Sequence, residues 1–435
     1  MTDLLAARTQ MAVSLAFHII FAEIGVAMPV MMVLAEWRWR RTRDVVWLDL
    51  AKRWAKGTAI LFAVGAVSGT VLSFELGLLW PGFMGFAGAI IGLPFSLEGF
   101  AFFTEAIFLG VYLYGWKRVS GRAHLAAGVV VAASGALSAV FVVMVNAWMN
   151  TPNGYRLGPD GRLAAVDPLL GMRSAAAFPE ALHMLLAAYA ATGLAVAGIH
   201  AFLLLRGGPR VFHARALGIA LLVGAPAAVL QPLSGDISAR MVARTQPVKL
   251  AALEGQWETE RGAPLRIGGW PDARREETRW ALQIPYGLSL LAFHDPSAEV
   301  KGLKSVPASD RPPVAVVHVA FQVMVAAGSA MALVSLWAGW VTWRIRDLAT
   351  QRWLLRALAI VAPLGFVATE AGWVVTEVGR QPWVAQGLLR TADAVTPMPG
   401  LLVPMVFFTL LYVGLGAIVI ALIASLVRET EGAVA

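Results

Sequence analysis

Cysteine is absent from all 435 residues of the sequence. Its absence excludes disulfide bonds, thiolate-bound iron–sulfur clusters and haem attached covalently through cysteine. Any metal chemistry must therefore use histidine, methionine, aspartate or glutamate. Charged residues are also scarce, at 14% against 58% hydrophobic residues, and the mean hydropathy is +0.68. This composition is too apolar for a soluble globular protein and predicts a polytopic membrane protein.

Several functional motifs are missing as well. There is no Walker loop, no GxGxxG motif opening a helix and no HExxH motif, so nucleotide hydrolysis and zinc proteolysis have no support. No adjacent histidine pair occurs, which counts against a copper site beside a haem. The net charge of +8 could indicate a nucleic-acid partner. However, Lys and Arg lie mainly between apolar runs, where membrane topology explains them, so we predict no nucleic-acid partner.

Nine apolar runs are long enough to cross the roughly 30 Å hydrocarbon layer of a bilayer. They lie near residues 11–36, 54–79, 93–115, 124–148, 180–205, 214–236, 313–341, 355–376 and 399–427. The predicted fold class is therefore an all-α integral membrane protein with about nine transmembrane helices. One long hydrophilic segment divides the chain into three parts, residues 1–236, 237–312 and 313–435.

Basic residues are concentrated after the first, third, fifth and seventh apolar runs. They are Arg38, Arg40, Arg41, Arg43, Lys52, Arg53, Lys117, Arg118, Arg122, Arg206, Arg210, Arg215, Arg344, Arg346, Arg352 and Arg356. By the positive-inside rule, these connections are cytoplasmic. The N-terminus and the long hydrophilic segment are then predicted to lie outside, and the C-terminus, with Arg428, inside.

Five ionisable side chains and one methionine, within or beside the apolar runs, form a predicted layer. An ionisable group in a membrane span is costly, so each of the five is a functional candidate. At about 1.5 Å per helical residue, all six fall in or near the outer half of the bilayer. They are His18, Glu98, Glu105, His183, Met324 and Glu377.

The carboxylates of this layer are spaced for proton transfer. Glu98 and Glu105 are two helical turns apart and project from one face, and Glu370 and Glu377 repeat the spacing. Titratable groups along one helix face can form a proton path. Alternatively, each carboxylate is protonated or hydrogen-bonded to a neighbouring helix.

Most histidines in apolar runs are packed and hydrogen-bonded, and we interpret His124, His200 and His213 in this way. His18 and His183 differ because they share the outer layer with methionine and carboxylates. A histidine and a methionine from two helices could hold a low-spin haem iron.

The hydrophilic segment contains QPVKLAALEGQWET, which places Lys249 and Glu254 five residues apart on a probable helix. One interpretation is a solvated surface helix. The other is a polar clamp for a redox quinone head group, in which Glu254 accepts a proton released on oxidation.

Seven motifs, in order along the chain, resemble subunit I of the cytochrome bd-type quinol oxidases. The resemblance covers essentially the whole chain. The motifs are RTQMAVSLAFHIIF around His18, LEGFAFFTEAIFLGVYLYGW around Glu98 and Glu105, NAWMNTPNGY from Asn146, EALHMLLAAY around His183, QPVKLAALE, FQVMVAAG around Met324, and GWVVTEVGRQPW around Glu377.

The resemblance implies the haem ligands residue by residue. His183 and Met324 match the two axial ligands of a low-spin haem b. His18 and Glu377 match the axial ligands of two high-spin haems. One of these is a haem b, and the other is the oxygen-reducing haem, either haem d or a third haem b. Which ligand holds which high-spin haem differs within the family.

The resemblance also implies roles for other side chains. Glu98 matches a carboxylate close to the oxygen-reducing haem, and Glu105 a member of the proton path. Lys249 and Glu254 match the quinol-oxidation residues of the outer loop, called the Q-loop, here of the shorter kind. Trp373 matches an aromatic residue near the haems, and Arg380 and Trp383 match residues of the family's GRQPW motif.

The function implied is a quinol:oxygen oxidoreductase of the bacterial cytoplasmic membrane. It would oxidise quinol outside and reduce O2 to water with cytoplasmic protons, without pumping. Its expected partners are a second large membrane subunit and small single-helix subunits. The alternative is a secondary transporter that uses intramembrane Glu and His. A transporter predicts inverted symmetry between halves and interrupted helices, and the sequence shows neither.

Overall fold

The structure, a computed structural model, describes residues 1–345 and 347–434, with residues 428–434 described by their backbone alone. Arg346 and the side chain of Arg428, both predicted to be cytoplasmic, lie outside the described residues. The helices are α1 (Asp3–Thr42), α2 (Val45–Leu79), α3 (Pro81–Tyr114), α4 (Gly121–Asn150), α5 (Pro168–Gly171), α6 (Ala177–Leu205), α7 (Arg210–Thr245), α8 (Pro247–Glu254), α9 (Gly287–Phe293), α10 (Val314–Arg344), α11 (Arg352–Val361), α12 (Leu364–Val378), α13 (Thr391–Ala394) and α14 (Leu402–Val434).

Nine segments of the described residues are long and apolar enough to cross a membrane, which confirms the predicted all-α membrane fold. They are α1 to α4, α6, α7, α10, α11 with α12, and α14. Several helices extend well beyond their apolar runs. For example, α1 contains 40 residues, or about 60 Å at 1.5 Å per residue. Its hydrogen-bonded backbone therefore continues outside the hydrocarbon layer.

The eighth span, Arg352–Val378, is interrupted. It is divided between α11 and α12 at Ala362 and Pro363, because Pro363 has no N–H to continue the helical ladder. The C=O of Pro363 accepts from the N–H of Val367 at 3.2 Å and so begins α12. The prediction of an uninterrupted helix is wrong here.

The basic connections meet at one end of the bundle, which we call the basic end. Asp44 caps the start of α2 and pairs with Arg215 of α7 at 2.6 Å. Arg210, at the start of α7, pairs with Asp347 at 2.5 Å. These ion pairs join three connections that were predicted to lie on the same side of the membrane. The opposite end carries the long loop and is called the loop end.

The long loop comprises residues 246–313, because α7 continues to Thr245, past the predicted start of the hydrophilic segment. Its apolar side chains pack against the spans. Leu250, Trp257 and Leu288 share one buried cluster with Val317 of α10 and Val375 of α12. This cluster holds α8 against the end of the helix bundle.

Short antiparallel strand pairs complete the long loop and two of the other connections at the loop end. The pairs are β1 (Arg156–Leu157) with β2 (Leu163–Ala164), β3 (Glu260–Arg261) with β8 (Glu299–Val300), β4 (Leu265–Ile267) with β7 (Leu282–Ile284), β5 (Trp270–Asp272) with β6 (Glu277–Arg279), and β9 (Trp383–Ala385) with β10 (Leu389–Arg390). Arg266 of β4 pairs in register with Gln283 of β7. His318 of α10 ties this region to the bundle, with ring nitrogens 2.7 Å from the C=O of Leu253 and 3.0 Å from that of Gly268.

Candidate functional site

His18 is held by a serine on the adjacent helix. Its Nδ1 lies 3.0 Å from Oγ of Ser68 in α2, and that hydroxyl donates to the C=O of Gly65 at 3.1 Å. Because the hydroxyl has a single hydrogen, its oxygen must accept from Nδ1–H of the ring. The Nε2 atom of His18 then carries the lone pair.

His183 is held by the same arrangement. Its Nδ1 lies 2.9 Å from Oγ of Ser234 in α7, and that hydroxyl donates to the C=O of Gln231 at 2.8 Å. The side-chain nitrogen of Gln231 lies 3.2 Å from Nε2 of the ring, where its N–H can donate to a lone pair. Both histidines therefore present the Nε2 lone pair, which is the form that binds a metal.

Glycines on neighbouring helices leave space around the predicted ligands. A Cβ atom at Gly69 would lie 2.9 Å from Cε1 of His18, and one at Gly372 would lie 3.2 Å from Sδ of Met324. Either contact would be tight, so glycine keeps these side chains uncrowded. Two imidazoles, a thioether and a carboxylate are donors of the kind that hold haem iron. The donor set fits haem.

A chain of polar side chains joins the long loop to Glu377. Lys249 of α8 is buried, and its Nζ donates to Oδ1 of Asn150 at 3.0 Å. Asn150 Nδ2 donates in turn to Oδ1 of Asn146 at 2.9 Å. Asn146 Nδ2 donates to Oε1 of Glu377, and Arg380 Nη2 donates to Oε2 at 2.7 Å. The structure thus brings three predicted site residues into one network.

Two basic and two acidic side chains meet in this network. The basic ones are Lys249 and Arg380, and the acidic ones are Glu377 and Glu180, the latter accepting from Asn150 at 3.2 Å. Burial lowers the pKa of Lys249 to about 8, while the nearby Glu180 and Glu377 act in the opposite direction. Buried charges are tolerated when they are paired and hydrogen-bonded, so the network holds all four groups at the loop end.

Arg380 has hydrogen-bonding capacity to spare. Its residue is 2% exposed, yet Nε and Nη1 have no hydrogen-bond partner among the described residues. An unpaired guanidinium edge favours a second anion besides Glu377, and a haem propionate would supply one.

Glu98 and Glu105 both face α4, as their spacing predicts. Oγ of Ser138 donates to Glu98 at 3.3 Å, and a Cβ at Gly135 would lie 3.1 Å from Oε1 of Glu105. Glu105 is buried, and it also lies 3.9 Å from the Cβ position of Gly25 in α1. The two carboxylates therefore line one side of α3 within the bundle.

Glu254 does not join Lys249, although both lie on α8. Glu254 is buried, and its Oε2 has no hydrogen-bond partner among the described residues. Burial raises its pKa to about 8, against a smaller opposite effect of Arg266. The interpretation of α8 as a solvated surface helix is therefore wrong, because both side chains are buried.

The two predicted tryptophans lie on either side of the Gly-Arg-Gln-Pro turn. Trp373 is partly buried on α12. Trp383 begins β9, and its ring centroid is 4.6 Å from the guanidinium carbon of Arg390.

Sequence reasoning missed the side chains that orient the site. They are Ser68, Asn146, Asn150, Glu180 and Ser234. The asparagines had a usable signal, because two amides four residues apart at the end of an apolar run share one helix face. The serines had none, since serine in a membrane helix ordinarily bonds its own backbone.

Comparisons with known proteins point to one protein family. The family model for cytochrome bd terminal oxidase subunit I matches residues 6–431. A Bacillus subtilis (strain 168) protein, provisionally named a cytochrome bd menaquinol oxidase subunit I, is 37% identical over 426 residues, covering 97% of this chain and 95% of that protein. Subunit 1 of a cytochrome bd ubiquinol oxidase from the same strain is 32% identical over 437 residues, covering 97% and 93%. The solved structure of bd oxidase from Geobacillus thermodenitrificans has a TM-score of 0.91 at 38% identity, covering 98% of this chain and 99% of that chain.

Proposed function

Because the chain belongs to the cytochrome bd terminal oxidase subunit I family, we propose that it forms the haem-bearing, quinol-oxidising subunit of a respiratory oxidase. It is a multi-pass protein of the bacterial inner membrane, and its relatives are named quinol oxidases. The observation that carries the proposal is the shared histidine arrangement. His18 and His183 each present Nε2 through a serine that fixes the other ring nitrogen.

The proposed cofactors are three haems. His183 and Met324 would hold a low-spin haem b, and His18 and Glu377 would hold two high-spin haems, one of type b and the other haem d or a third haem b. When bound, these groups would supply one-electron transfer and oxygen reduction. The protein fixes the ligand tautomers, keeps the ligands uncrowded through Gly69 and positions an anion-binding guanidinium.

Quinol oxidation is assigned to the loop end, which we propose faces outward. Glu254 would accept a proton from quinol and release it to the outer side. Lys249 would link α8 to Glu377 through the two asparagines. Protons for water formation would come from the cytoplasmic side past Glu105 and Glu98, so charge separation needs no pumping.

The second large subunit is proposed to pack against α2 and α3. Their outward faces carry hydroxyls that donate to the backbone of their own helix, and glycines at which an added Cβ would meet no other atom of this chain. Lipid, in contrast, favours larger apolar side chains. Small and hydroxyl-bearing residues are typical of helix contacts in membranes. The residues of this face are exposed at Thr70, Ser73, Gly77 and Ser96, and partly exposed at Gly92, Gly99 and Thr104. Small single-helix subunits are further proposed partners.

The function is tested on the complex purified from membranes. We expect a reduced-minus-oxidised optical spectrum with haem bands, together with oxygen uptake driven by added quinol. A pyridine haemochrome spectrum then separates haem b from haem d. A spectrum without haem bands would end the oxidase proposal and favour the transporter, for which the interrupted eighth span is a matching feature.

Glu254 gives a prediction about pH. With a pKa of about 8, its carboxyl is protonated below that pH and can accept a proton only in the ionised form above it. We therefore expect kcat/KM for quinol to rise with pH toward a plateau above pH 8. Glu254→Gln should lower kcat/KM at least tenfold and flatten this rise.

The control is Glu258→Gln, which removes an exposed carboxylate of the same loop. Haem content should be unchanged in both variants. A Glu254→Gln variant that kept the wild-type pH profile would remove Glu254 from quinol oxidation.

A further inference from the structure

Glu23 of α1 is a buried acid without a described partner. It is 5% exposed, and neither carboxyl oxygen has a hydrogen-bond partner among the described residues. An ionised carboxylate buried in such a place is strongly disfavoured unless a positive charge lies beside it. Without such a charge, the carboxyl group holds a proton. The functional assignments above do not use this residue.

A second acid faces Glu23 across a helix contact. Glu370 of α12 interacts electrostatically with Glu23, and its Oε1 also has no partner among the described residues. Thr369, next to Glu370 on α12, has its hydroxyl beside the carboxyl group of Glu23. From α6, Thr192 Oγ1 donates to the backbone C=O of Glu23 at 3.3 Å and does not engage the carboxyl group.

Glu23 and Glu370 lie at depths in the membrane close to those of two predicted functional residues, Glu105 and Met324. Gly25, two residues beyond Glu23, faces Glu105, so Glu23 and Glu105 lie at one depth on different faces of α1. Glu370 lies two residues before Gly372, which faces Met324. The pair of Glu23 and Glu370 therefore lies nearer the basic end than Met324 does. Helix α1 stands between this pair and the face of α3 that carries Glu98 and Glu105.

We propose that Glu23 and Glu370 form a second proton-binding site, coupled to the low-spin haem that Met324 would hold. This inference rests on the proposed function. If His183 and Met324 held a ferric haem, its iron–porphyrin core would carry one positive charge, which would stabilise one ionised carboxyl of the pair. One electron from quinol would cancel that charge and leave the carboxylate beside a second acid. The pair would then take up one proton from the aqueous phase at the basic end.

The test is a redox titration of the low-spin haem band in the intact complex at several pH values. In the wild type, the midpoint potential should fall with rising pH, by up to about 59 mV for each tenfold drop in proton concentration. Glu23→Gln and Glu370→Gln should each flatten that slope. Infrared redox-difference spectra should lose a carboxyl band in the same variants.

The matched control is Glu75→Gln in α2. Glu75 is also a buried acid, 3% exposed, but its Oε1 accepts from Gln10 and Ser14, each at 2.9 Å. This variant should keep the wild-type slope. If Glu23→Gln does not assemble, the partly exposed Glu370 provides the decisive variant. A retained slope and carboxyl band overturn the inference, whereas a wild-type complex without a low-spin band overturns the proposed function instead.

Discussion

His183→Ala is expected to remove the absorption of the low-spin haem and abolish quinol-driven oxygen uptake together. The ring supplies the Nε2 lone pair, and Ser234 holds its other nitrogen at 2.9 Å. Alanine removes the donor atom while leaving α6 and α7 in place. The measurement is a reduced-minus-oxidised spectrum and an oxygen-electrode assay on the same preparation, with a loss of activity of at least a hundredfold.

Two further variants separate ligation from packing. Ser234→Ala keeps the imidazole but loses the partner that selects its tautomer, so the haem band should persist with a shifted midpoint potential. His200→Ala removes a buried imidazole from the basic end of the same helix, where it lies 2.9 Å from His213. That variant should retain the low-spin band. An unchanged spectrum in His183→Ala would refute the ligand assignment.

Hydropathy predicts the nine spans because a membrane-buried backbone must satisfy its hydrogen bonds within the helix. It cannot place the helix ends. For example, α7 continues as a hydrogen-bonded helix as far as Thr245, beyond the end of its apolar run. Nor can it place the break in the eighth span. Proline occurs inside continuous helices at Pro29, Pro94 and Pro226, so Pro363 alone did not distinguish a broken helix from an intact one.

The site was predictable by depth and motif but not by contact. Counting residues along each helix placed Glu377 and His183 at similar depths, because the helical rise is constant. The contacts depend on how each helix is rotated about its axis. Asn146 and Asn150 are one turn apart on α4, but they link Lys249 to Glu377 only because α4, α8 and α12 present those faces to one another. No pattern within one helix encodes that rotation.

Glu377→Ala is expected to remove one high-spin haem and stop oxygen reduction while the low-spin band remains. Glu377 accepts from Asn146 and Arg380, and its carboxylate oxygens keep further lone pairs for a metal. The measurement combines the pyridine haemochrome content, the optical spectrum and oxygen uptake. Asp310→Ala breaks another ion pair at the loop end, with Arg390 at 2.6 Å, and should leave every haem band intact.

A purely structural Glu377 would behave differently, and a double variant distinguishes the two roles. The Arg380 side chain is 1% exposed, so removing Glu377 alone leaves a buried charge unpaired, at a cost of about 3 kcal/mol. Glu377→Ala with Arg380→Ala removes both charges and should recover much of the thermal stability. If Glu377 served only to pair with Arg380, the double variant would match Arg380→Ala alone in haem content and activity. If Glu377 binds iron, the double variant regains its melting temperature and still lacks the haem.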